Sequence, residues 1–343
     1  MTTHANTLYV QTPGAYLGKS GETVRVKVDG QVKLTVPLHH LEGIVCFGRV
    51  SVSTALMAEA ADRDLTISFF TEHGRFQSRV VSAVSGNVLL RREQYRRADR
   101  PEACLRIARS IVAAKIQNSR VNLLRGGRES DVPEDVELLK GAANHLVNSL
   151  DTLSRAQTLD SARGCEGDAA RAYFAAFNGL IRQQREAFSM RERTRRPPLD
   201  PLNALLSFVY SILTHDMAGA LESVGLDPAV GFLHVDRPGR LSLALDLLEE
   251  FRALLADRLV LSLINLRQVR PEGFETQPGG AVQMNAATRK ALLTALTQRK
   301  RDEVTHPVLG DKVTIGLLPH IQARLLARHI RGDLEDYPAL VLK

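Results

Sequence analysis

Hydrophobic and polar residues alternate over much of the first quarter of the chain. The segment "TVRVKVDGQVKLTV", residues 23–36, contains two runs of period two joined by Asp29 and Gly30. An Asp-Gly pair between two alternating runs is a strong signal for a two-residue β-hairpin. The segments "EGIVCF" and "LTISFF" predict further strands, and "STALMAEAADR" between them predicts a helix. These patterns indicate a small, mainly β module.

The periodicity changes to that of helices beyond this module. From "ACLRIARSIVAAKIQNSRVNLL" onward, apolar positions recur at spacings of three and four residues. Further helices are predicted over residues 134–158, 161–186, 201–224, 241–266, 286–300 and 315–331. Pro101 and the arginines before it are typical of a domain boundary. The expected fold class is α+β, with a small β-rich N-terminal domain over residues 1–92 and a larger all-α domain over residues 93–343.

Length and composition are those of a globular protein with two cores. The chain has 343 residues, which exceeds the usual size of one domain. Cys46, Cys104 and Cys165 stand far apart without a Cys-x-x-Cys pair, so neither a disulfide framework nor a zinc-thiolate site is predicted. The N-terminal segment lacks a signal-peptide pattern, and no apolar run approaches the roughly 18 residues of a membrane span. We therefore expect a cytoplasmic protein without a membrane segment.

The charge of the chain favours an anionic partner. The formal net charge is +7, and the segment "IRQQREAFSMRERTRRPPLDPLN" concentrates arginine. Its arginines are Arg182, Arg185, Arg191, Arg193, Arg195 and Arg196. A solvated face accounts for some of them, but arginine is also the side chain that best binds phosphate through two hydrogen bonds. Nucleic acid is therefore a candidate partner.

The predicted helix over residues 241–266 combines a nearly continuous leucine surface with a stripe of carboxylates. At about 100 degrees per residue, Asp246, Glu249, Glu250 and Asp257 fall on the one face that the leucines leave. Like charges at these spacings repel, so a cation should lie opposite them. Either arginines or bulk water neutralise a solvated stripe, or two carboxylates and a further ligand hold Mg²⁺ or Mn²⁺.

A histidine precedes this helix at a position that suits a metal ligand. His234 lies twelve residues before Asp246, and the turn "RPGR" between them would fold it back toward the start of the helix. Imidazole together with carboxylates favours Mn²⁺ over a site of oxygen ligands alone, although Mg²⁺ also fits.

The segment "LDSARGCEGDAARAYF" predicts a helix with a surface that another group could approach closely. Gly164 and Gly167 surround Glu166 with almost no side-chain bulk, although glycine in a helix costs up to about 1 kcal/mol relative to alanine. Tight helix packing is one reason for these glycines, and contact with a metal-bound phosphate is another. Arg163 and Arg171 flank the glutamate and could contact phosphate oxygens or water.

These segments resemble the family of CRISPR-associated protein 1, the integrase that inserts new spacers. The resemblance runs through "PLHHLEGIVCFGRVSVSTALMAEAADRDLTISFF", "SGNVLLRREQYR", "CEGDAARAYF", "DPLNALLSFVYSIL" and "GFLHVDRPGRLSLALDLLEEFR". The order and spacing of these motifs are specific, although no single one is decisive. The forms "LHHLEGIVCFG" and "DLLEEF" look most like members from type I systems, subtype I-C among them. Ala253 stands where this family usually has proline.

The resemblance implies a β-rich dimerisation domain and a helical catalytic domain with one divalent metal site. Carried over by motif, the metal ligands and catalytic residues are Glu166 of "CEGDAA", His234 of "GFLH" and Asp246 of "LALDLLEE". The family usually has a further acidic residue three positions after the aspartate. Here that residue is Glu249, which is therefore counted among the metal ligands and catalytic residues, and Glu250 is the less favoured candidate for this role.

The resemblance also implies a reaction and partners. The 3′-hydroxyl of an incoming DNA fragment attacks a phosphate of the CRISPR repeat, and family members also cut branched DNA. The expected partners are DNA, a second copy of the chain, CRISPR-associated protein 2 and an accessory end-trimming nuclease, with Mg²⁺ or Mn²⁺ as cofactor. Expected DNA contacts are Lys115, Arg163, Arg171 and Tyr210.

Two other functions stay open from the sequence. A catalytically inactive scaffold of the adaptation complex would bind DNA without metal-dependent cleavage. An unrelated cytosolic metal phosphoesterase would use the same ligands, but would leave the arginine-rich segment unexplained.

Overall fold

The computed structural model describes residues 7–63, 65–81, 88–194 and 197–342. Arg195 and Arg196 of the arginine-rich segment lie outside these ranges. The chain divides into two compact units. Unit 1 comprises Met1–Gly86, Arg289–Thr305 and Asp311–Leu318, and unit 2 comprises Asn87–Thr288, His306–Gly310 and Pro319–Lys343. The assignment of dimerisation to residues 1–92 and of catalysis to residues 93–343 stays a prediction.

Unit 1 is built on two four-stranded sheets. Its first elements are β1 (Thr7–Val10), β2 (Tyr16–Ser20), β3 (Thr23–Val28), β4 (Gln31–Pro37), β5 (Gly43–Phe47), β6 (Ser51–Val52), α1 (Thr54–Asp62), β7 (Thr66–Phe70) and β8 (Phe76–Val80). The strand orders are β1-β5-β7-β8 and β4-β3-β2-β6. The predicted hairpin joins β3 to β4, with Asp29 and Gly30 at φ angles of 50° and 77°. Positive φ at both central residues is what a type I′ turn requires, so this prediction is confirmed.

The period-two pattern decides which side chains of unit 1 reach its core. Val24 and Val26 of β3 are buried, whereas Arg25 between them is exposed. They pack with Leu17, Ile44 and other apolar side chains of the same cluster. Burial of this alternating set stabilises both sheets, since each buried aliphatic side chain contributes roughly 2 kcal/mol.

The later part of the chain is mainly helical. Its elements are α2 (Val88–Ala98), α3 (Pro101–Glu129), α4 (Pro133–Ser154), α5 (Leu159–Ala175), α6 (Arg185–Phe188), α7 (Pro201–Ser223), α8 (Ser242–Phe251), α9 (Arg258–Asn265), β9 (Phe274–Thr276), β10 (Val282–Met284), α10 (Ala286–Arg301), β11 (Glu303–Thr305), β12 (Lys312–Thr314) and α11 (Leu318–Arg331). The predicted α+β class, with a β-rich region followed by a helical one, is confirmed. Two short hairpins, β9–β10 and β11–β12, are additions that the sequence pattern did not indicate.

Helix α5 is shorter than the segment 161–186 expected from its pattern. Thr158 is its N-cap and accepts a hydrogen bond from the backbone N–H of Ser161. The helix ends at Ala175. A Cβ on Gly179 would lie only 3.3 Å from the side chain of Leu139. Beyond the helix the chain continues in a 3-10 turn, Phe177–Leu180, in which the lack of a side chain at Gly179 allows close packing against α4.

Helix α7 is a core helix of unit 2. By length and composition alone it could cross a membrane, although the sequence pattern indicated no apolar run of that length. Most of the helix is, however, buried inside the protein. Apolar side chains on all of its sides are buried, as expected for a helix surrounded by other helices.

The single helix expected over residues 241–266 is interrupted by a π-helical turn, Arg252–Asp257. Two asparagines of α3 contact this region. Asn118 donates its side-chain N–H to the carbonyl of Glu250, and Asn122 donates to the carbonyl of Ala253 at 2.7 Å. Side-chain donors of this kind satisfy carbonyls that a π turn removes from the regular helical pattern.

Candidate metal and DNA site

Every carboxylate that the sequence places on the polar stripe is buried, three of them on α8 and the fourth in the π turn that follows. Asp246 and Glu250 have no exposed surface, Glu249 is 4% exposed, and Asp257 in the π turn is 1% exposed. Bulk water therefore does not neutralise the stripe, and the expectation that it is solvated is wrong. Buried carboxylates need hydrogen bonds or cations, and each of the four has its own partners.

Glu250 holds the C-terminal segment of the chain. Its Oε1 accepts a hydrogen bond from the Tyr337 hydroxyl, and its Oε2 accepts one from the backbone N–H of Leu340, both at 2.6 Å. The side-chain amide of Gln322 donates a third bond at 2.9 Å. Burial raises the pKa of Glu250 to about 7. The hydrogen bonds of this carboxylate thus serve the packing of the C-terminal segment.

Asp246 organises the loop that carries His234. Its Oδ2 accepts hydrogen bonds from the backbone N–H groups of Phe232 and Leu233, at 2.6 and 2.9 Å. Its Oδ1 accepts the backbone N–H of His234 at 2.9 Å and pairs with Nδ1 of the same residue at 2.6 Å. A carboxylate at Nδ1 selects the tautomer in which Nε2 is left to bind a metal.

Glu249 faces three basic groups. Its Oε1 accepts a hydrogen bond from Nε of Arg252 at 2.9 Å and lies 3.9 Å from Nε2 of His234. Its Oε2 lies 2.6 Å from Nζ of Lys115, yet receives no hydrogen bond of normal geometry. Burial alone would raise the pKa of Glu249, but the charges of Arg252, Lys115 and His234 together hold it below its usual range.

Lys115 joins the two glutamates. Its ammonium also donates a hydrogen bond to Oε1 of Glu166, which projects from α5. The lysine side chain, from α3, is 12% exposed and Glu166 is 27% exposed. Glu166, His234, Glu249 and Lys115 thus meet although they come from separate elements. The cation that the repulsion of the carboxylates required is supplied by Lys115 and Arg252.

The donor atoms of this cluster fit a small divalent cation. In the described ranges, no three His, Cys, Asp or Glu side chains stand close enough to count as a preformed metal site. Two carboxylates and an imidazole nitrogen nevertheless converge, and Oε2 of Glu249 is buried without a hydrogen bond. Oxygen and imidazole donors of this kind suit Mn²⁺ and Mg²⁺.

The four residues expected to contact DNA lie in different environments. Arg171 is exposed on α5. Arg163 donates through Nε to the carbonyl of Leu233 at 2.7 Å, so it also supports the His234 loop. Lys115 lies within the carboxylate cluster. Tyr210 is only 8% exposed, and its hydroxyl donates to an internal carboxylate.

The sequence did not reveal the network around Tyr210. Asp257 accepts hydrogen bonds from the hydroxyls of Tyr210 at 2.5 Å and Tyr173 at 3.0 Å. The guanidinium of Arg252 lies 4.4 Å from the centre of the Tyr210 ring, a cation–π contact. Asp257 stood on the predicted carboxylate face, but its tyrosine partners come from other helices that no local pattern connects to it.

The family described as "CRISPR associated protein Cas1" matches residues 8–298 of the chain. The chain belongs to the Cas1 family. A CRISPR-associated endonuclease Cas1 of Moorella thermoacetica is 51% identical over 332 residues, which are 97% of each chain. A Cas4 exonuclease/Cas1 endonuclease fusion of Geobacter sulfurreducens is 35% identical over 98% of this chain and 60% of its own. Family membership confirms the expected endonuclease and integrase of CRISPR adaptation over the two other functions.

Solved structures confirm the fold. A CAS1 protein from Thermotoga maritima has a TM-score of 0.80 and 24% identity, covering 95% of this chain and 97% of its own. A casposase bound to its integration product has a TM-score of 0.82 at 21% identity, covering 98% and 94%. A Cas6-RT-Cas1–Cas2 complex contains a chain with a TM-score of 0.80 at 23% identity, covering 99% and 36%.

Gly231→Ala should displace the His234 loop. A Cβ at Gly231 would lie 2.8 Å from Cβ of Ser242 and 2.9 Å from Oδ2 of Asp246, closer than packed atoms approach. The loop must move and lengthen its hydrogen bonds to Asp246, which we expect to lower stability by about 1–3 kcal/mol. Urea unfolding followed by circular dichroism measures the change. Gly141→Ala is the control because its Cβ meets no described atom within 4 Å, and equal midpoints for the two variants would contradict this packing.

Asp257 should make stability depend on pH. Burial raises its pKa to about 6, despite the hydroxyls of Tyr210 and Tyr173 and the charge of Arg252. The unfolded value is about 4, so the native state binds more protons between these values and the free energy of unfolding falls as pH rises through that window. We expect a loss on the order of 2 kcal/mol that Asp257→Asn lacks. Urea unfolding of both proteins from pH 4 to 7 tests this, and parallel pH profiles would refute it.

Proposed function

We propose that this protein is a divalent-metal-dependent DNA integrase and endonuclease in which Glu166, His234 and Glu249 hold the metal. The observation that carries the proposal is that Lys115 joins Glu166 to Glu249, while Nε2 of His234 lies 3.9 Å from Oε1 of Glu249. Asp246 acts through His234, because its two oxygens already accept the N–H groups of the loop and Nδ1 of the imidazole. Asp246 is in this proposal a positioning residue.

A bound Mg²⁺ or Mn²⁺ would polarise a phosphodiester and stabilise the charge that builds on it. The residues of the chain bring the reacting groups together. The 3′-hydroxyl of the incoming DNA forms a phosphodiester with the repeat strand, and the 3′-oxygen of the cut strand leaves and takes up a proton. One phosphodiester replaces another, so the step needs no further reactant.

The surface of α5 supports close approach of DNA. A Cβ at Gly164 or Gly167 would meet no described atom within 4 Å, so helix packing within the described ranges does not explain these glycines. We propose that they let a phosphate backbone approach Glu166, with the exposed Arg171 and the half-exposed Arg163 as phosphate contacts.

Tyr210 and Lys115 have different proposed tasks. Tyr210 is buried, so we propose that it acts on the site through Arg252, which lies over its ring and binds Glu249. We propose that Lys115 can contact DNA only when its ammonium is no longer paired with Glu166 and Glu249.

The proposed partners are taken from those of similar proteins. The protein would work with CRISPR-associated protein 2, since the chain resembles a subunit of a Cas1–Cas2 complex. A homodimer is proposed on the family resemblance alone. An end-trimming nuclease is supported by the natural fusion of Cas4 exonuclease to Cas1. We further propose a cytoplasmic location and subtype I-C, the latter on the "LHHLEGIVCFG" and "DLLEEF" motifs.

Glu166→Ala should abolish strand transfer without unfolding the protein, because Glu166 is partly exposed and supplies a metal ligand. We expect a loss on the order of a hundredfold or more. The assay follows joining of a DNA fragment to a repeat-containing duplex, and cleavage of branched DNA, with Mn²⁺. Circular dichroism checks the fold.

Asp168→Asn is the matched control for this assay. Asp168 lies on the same helix and pairs with His145 at 2.6 Å rather than with the cluster. Full activity of both variants would refute the proposed site. Metal-independent DNA binding by the wild type, with no cleavage or joining, would instead favour the inactive scaffold.

Gly167→Ala should weaken DNA binding while leaving the protein at least as stable. Alanine favours the helix by up to about 1 kcal/mol, but its methyl group would stand where DNA approaches. We expect at least fivefold lower affinity in fluorescence anisotropy with a branched duplex. Gly127→Ala, whose Cβ meets Leu139 at an ordinary 3.8 Å, serves for comparison. Unchanged affinity of the Gly167 variant would show that DNA does not approach this face closely.

A further inference from the structure

Lys115 has an unusual set of contacts for a lysine. Its ammonium touches carboxylates from two helices, Glu166 of α5 and Glu249 of α8. Among the residues that the structure describes, these are its only polar contacts. A lysine that served only to bind DNA would be expected to extend toward solvent, because its ammonium is strongly hydrated.

The second basic group of the cluster is held differently. Arg252 lies over the Tyr210 ring and donates Nε to Oε1 of Glu249. The Arg252 side chain is 15% exposed and is held by both contacts. Within the described ranges no aromatic ring stacks on the Lys115 ammonium, and its four-carbon stem is flexible, so the ammonium can move while Arg252 stays in place.

The Lys115 ammonium contacts the same carboxylates that would bind the metal. Glu166 and Glu249 are two of the three side chains that would hold the metal, and both direct an oxygen at Nζ of Lys115. Without a cation between them, two carboxylates this close would repel and move apart or take up a proton. Lys115 therefore performs in the metal-free protein the electrostatic task that a metal would perform.

We infer that Lys115 is a built-in counter-ion whose ammonium keeps Glu166 and Glu249 in place until a divalent metal displaces it. This inference rests on the proposed function, because it needs a metal at these ligands. Because the metal must displace the ammonium, the lysine lowers the affinity of the site for the metal. In the metal-free protein the same ammonium keeps the site stable and ordered. It also prevents the two glutamates from separating before the metal arrives.

The test compares Mn²⁺ binding and stability in the wild type and Lys115→Met. Isothermal titration calorimetry with MnCl₂ gives the affinity, and thermal unfolding in EDTA and in saturating Mn²⁺ gives the stability. We expect Lys115→Met to bind Mn²⁺ at least tenfold more tightly. We also expect a lower Tm than the wild type in EDTA and a larger rise in Tm on addition of Mn²⁺.

Arg128→Met is the matched control, since it removes one positive charge from the exposed end of the same helix without touching the cluster. It should change neither affinity nor Tm. Lys115→Gln, which keeps a hydrogen-bond donor without charge, replaces the methionine variant if that protein does not fold. Unchanged or weaker Mn²⁺ binding by the neutral variant would overturn the inference.

A separate arm distinguishes failure of this inference from failure of the proposed function. Glu166→Ala should lose Mn²⁺ affinity if the ligand assignment is right. If the wild type and Glu166→Ala bind Mn²⁺ equally, or neither binds it, both proposals fall. If Glu166→Ala loses affinity while the neutral Lys115 variants match the wild type, only the counter-ion role falls.

Discussion

The candidate site depends on one buried carboxylate that accepts four N–H groups. Asp246 has no exposed surface, and its oxygens bind three consecutive backbone N–H groups and Nδ1 of His234. A buried negative charge is unfavourable unless it is fully hydrogen-bonded, so loop and helix can adopt few other arrangements. Gly231 allows the close approach, because any side chain there would strike α8. The histidine is thereby held in one orientation.

Four carboxylates on one helical stretch have four different tasks because each meets different partners. Glu250 holds the C-terminal segment, and Asp257 binds two tyrosine hydroxyls. Asp246 orients the His234 loop, while Glu249 faces Arg252, Lys115 and the imidazole. Burial raises the pKa of Glu250 and Asp257, whereas nearby cations outweigh burial at Glu249 and lower its pKa. Charge on this helix is thus retained where a metal would use it.

Much of the architecture follows from local patterns. The Asp29-Gly30 hairpin and the helical periodicity beyond residue 100 identify the β-rich and helical parts, because these signals depend on neighbouring residues. Local patterns missed the early end of α5 and the π turn after α8. At both places the chain contacts other helices: Gly179, just beyond α5, packs against Leu139, and two asparagines of α3 donate to carbonyls at the π turn. Such contacts leave no periodic trace in the chain.

The sequence alone determined the fold class, the family and the set of acidic, imidazole and basic residues from which the site is drawn. It placed Asp246 and Glu249 on one helical face, since spacing of three residues is a property of the helix itself. Only the tertiary structure decided their separate tasks, and only it placed Lys115 between Glu166 and Glu249. The reason is physical: burial and hydrogen bonding depend on which distant segments pack together, and helical spacing carries no information about those segments.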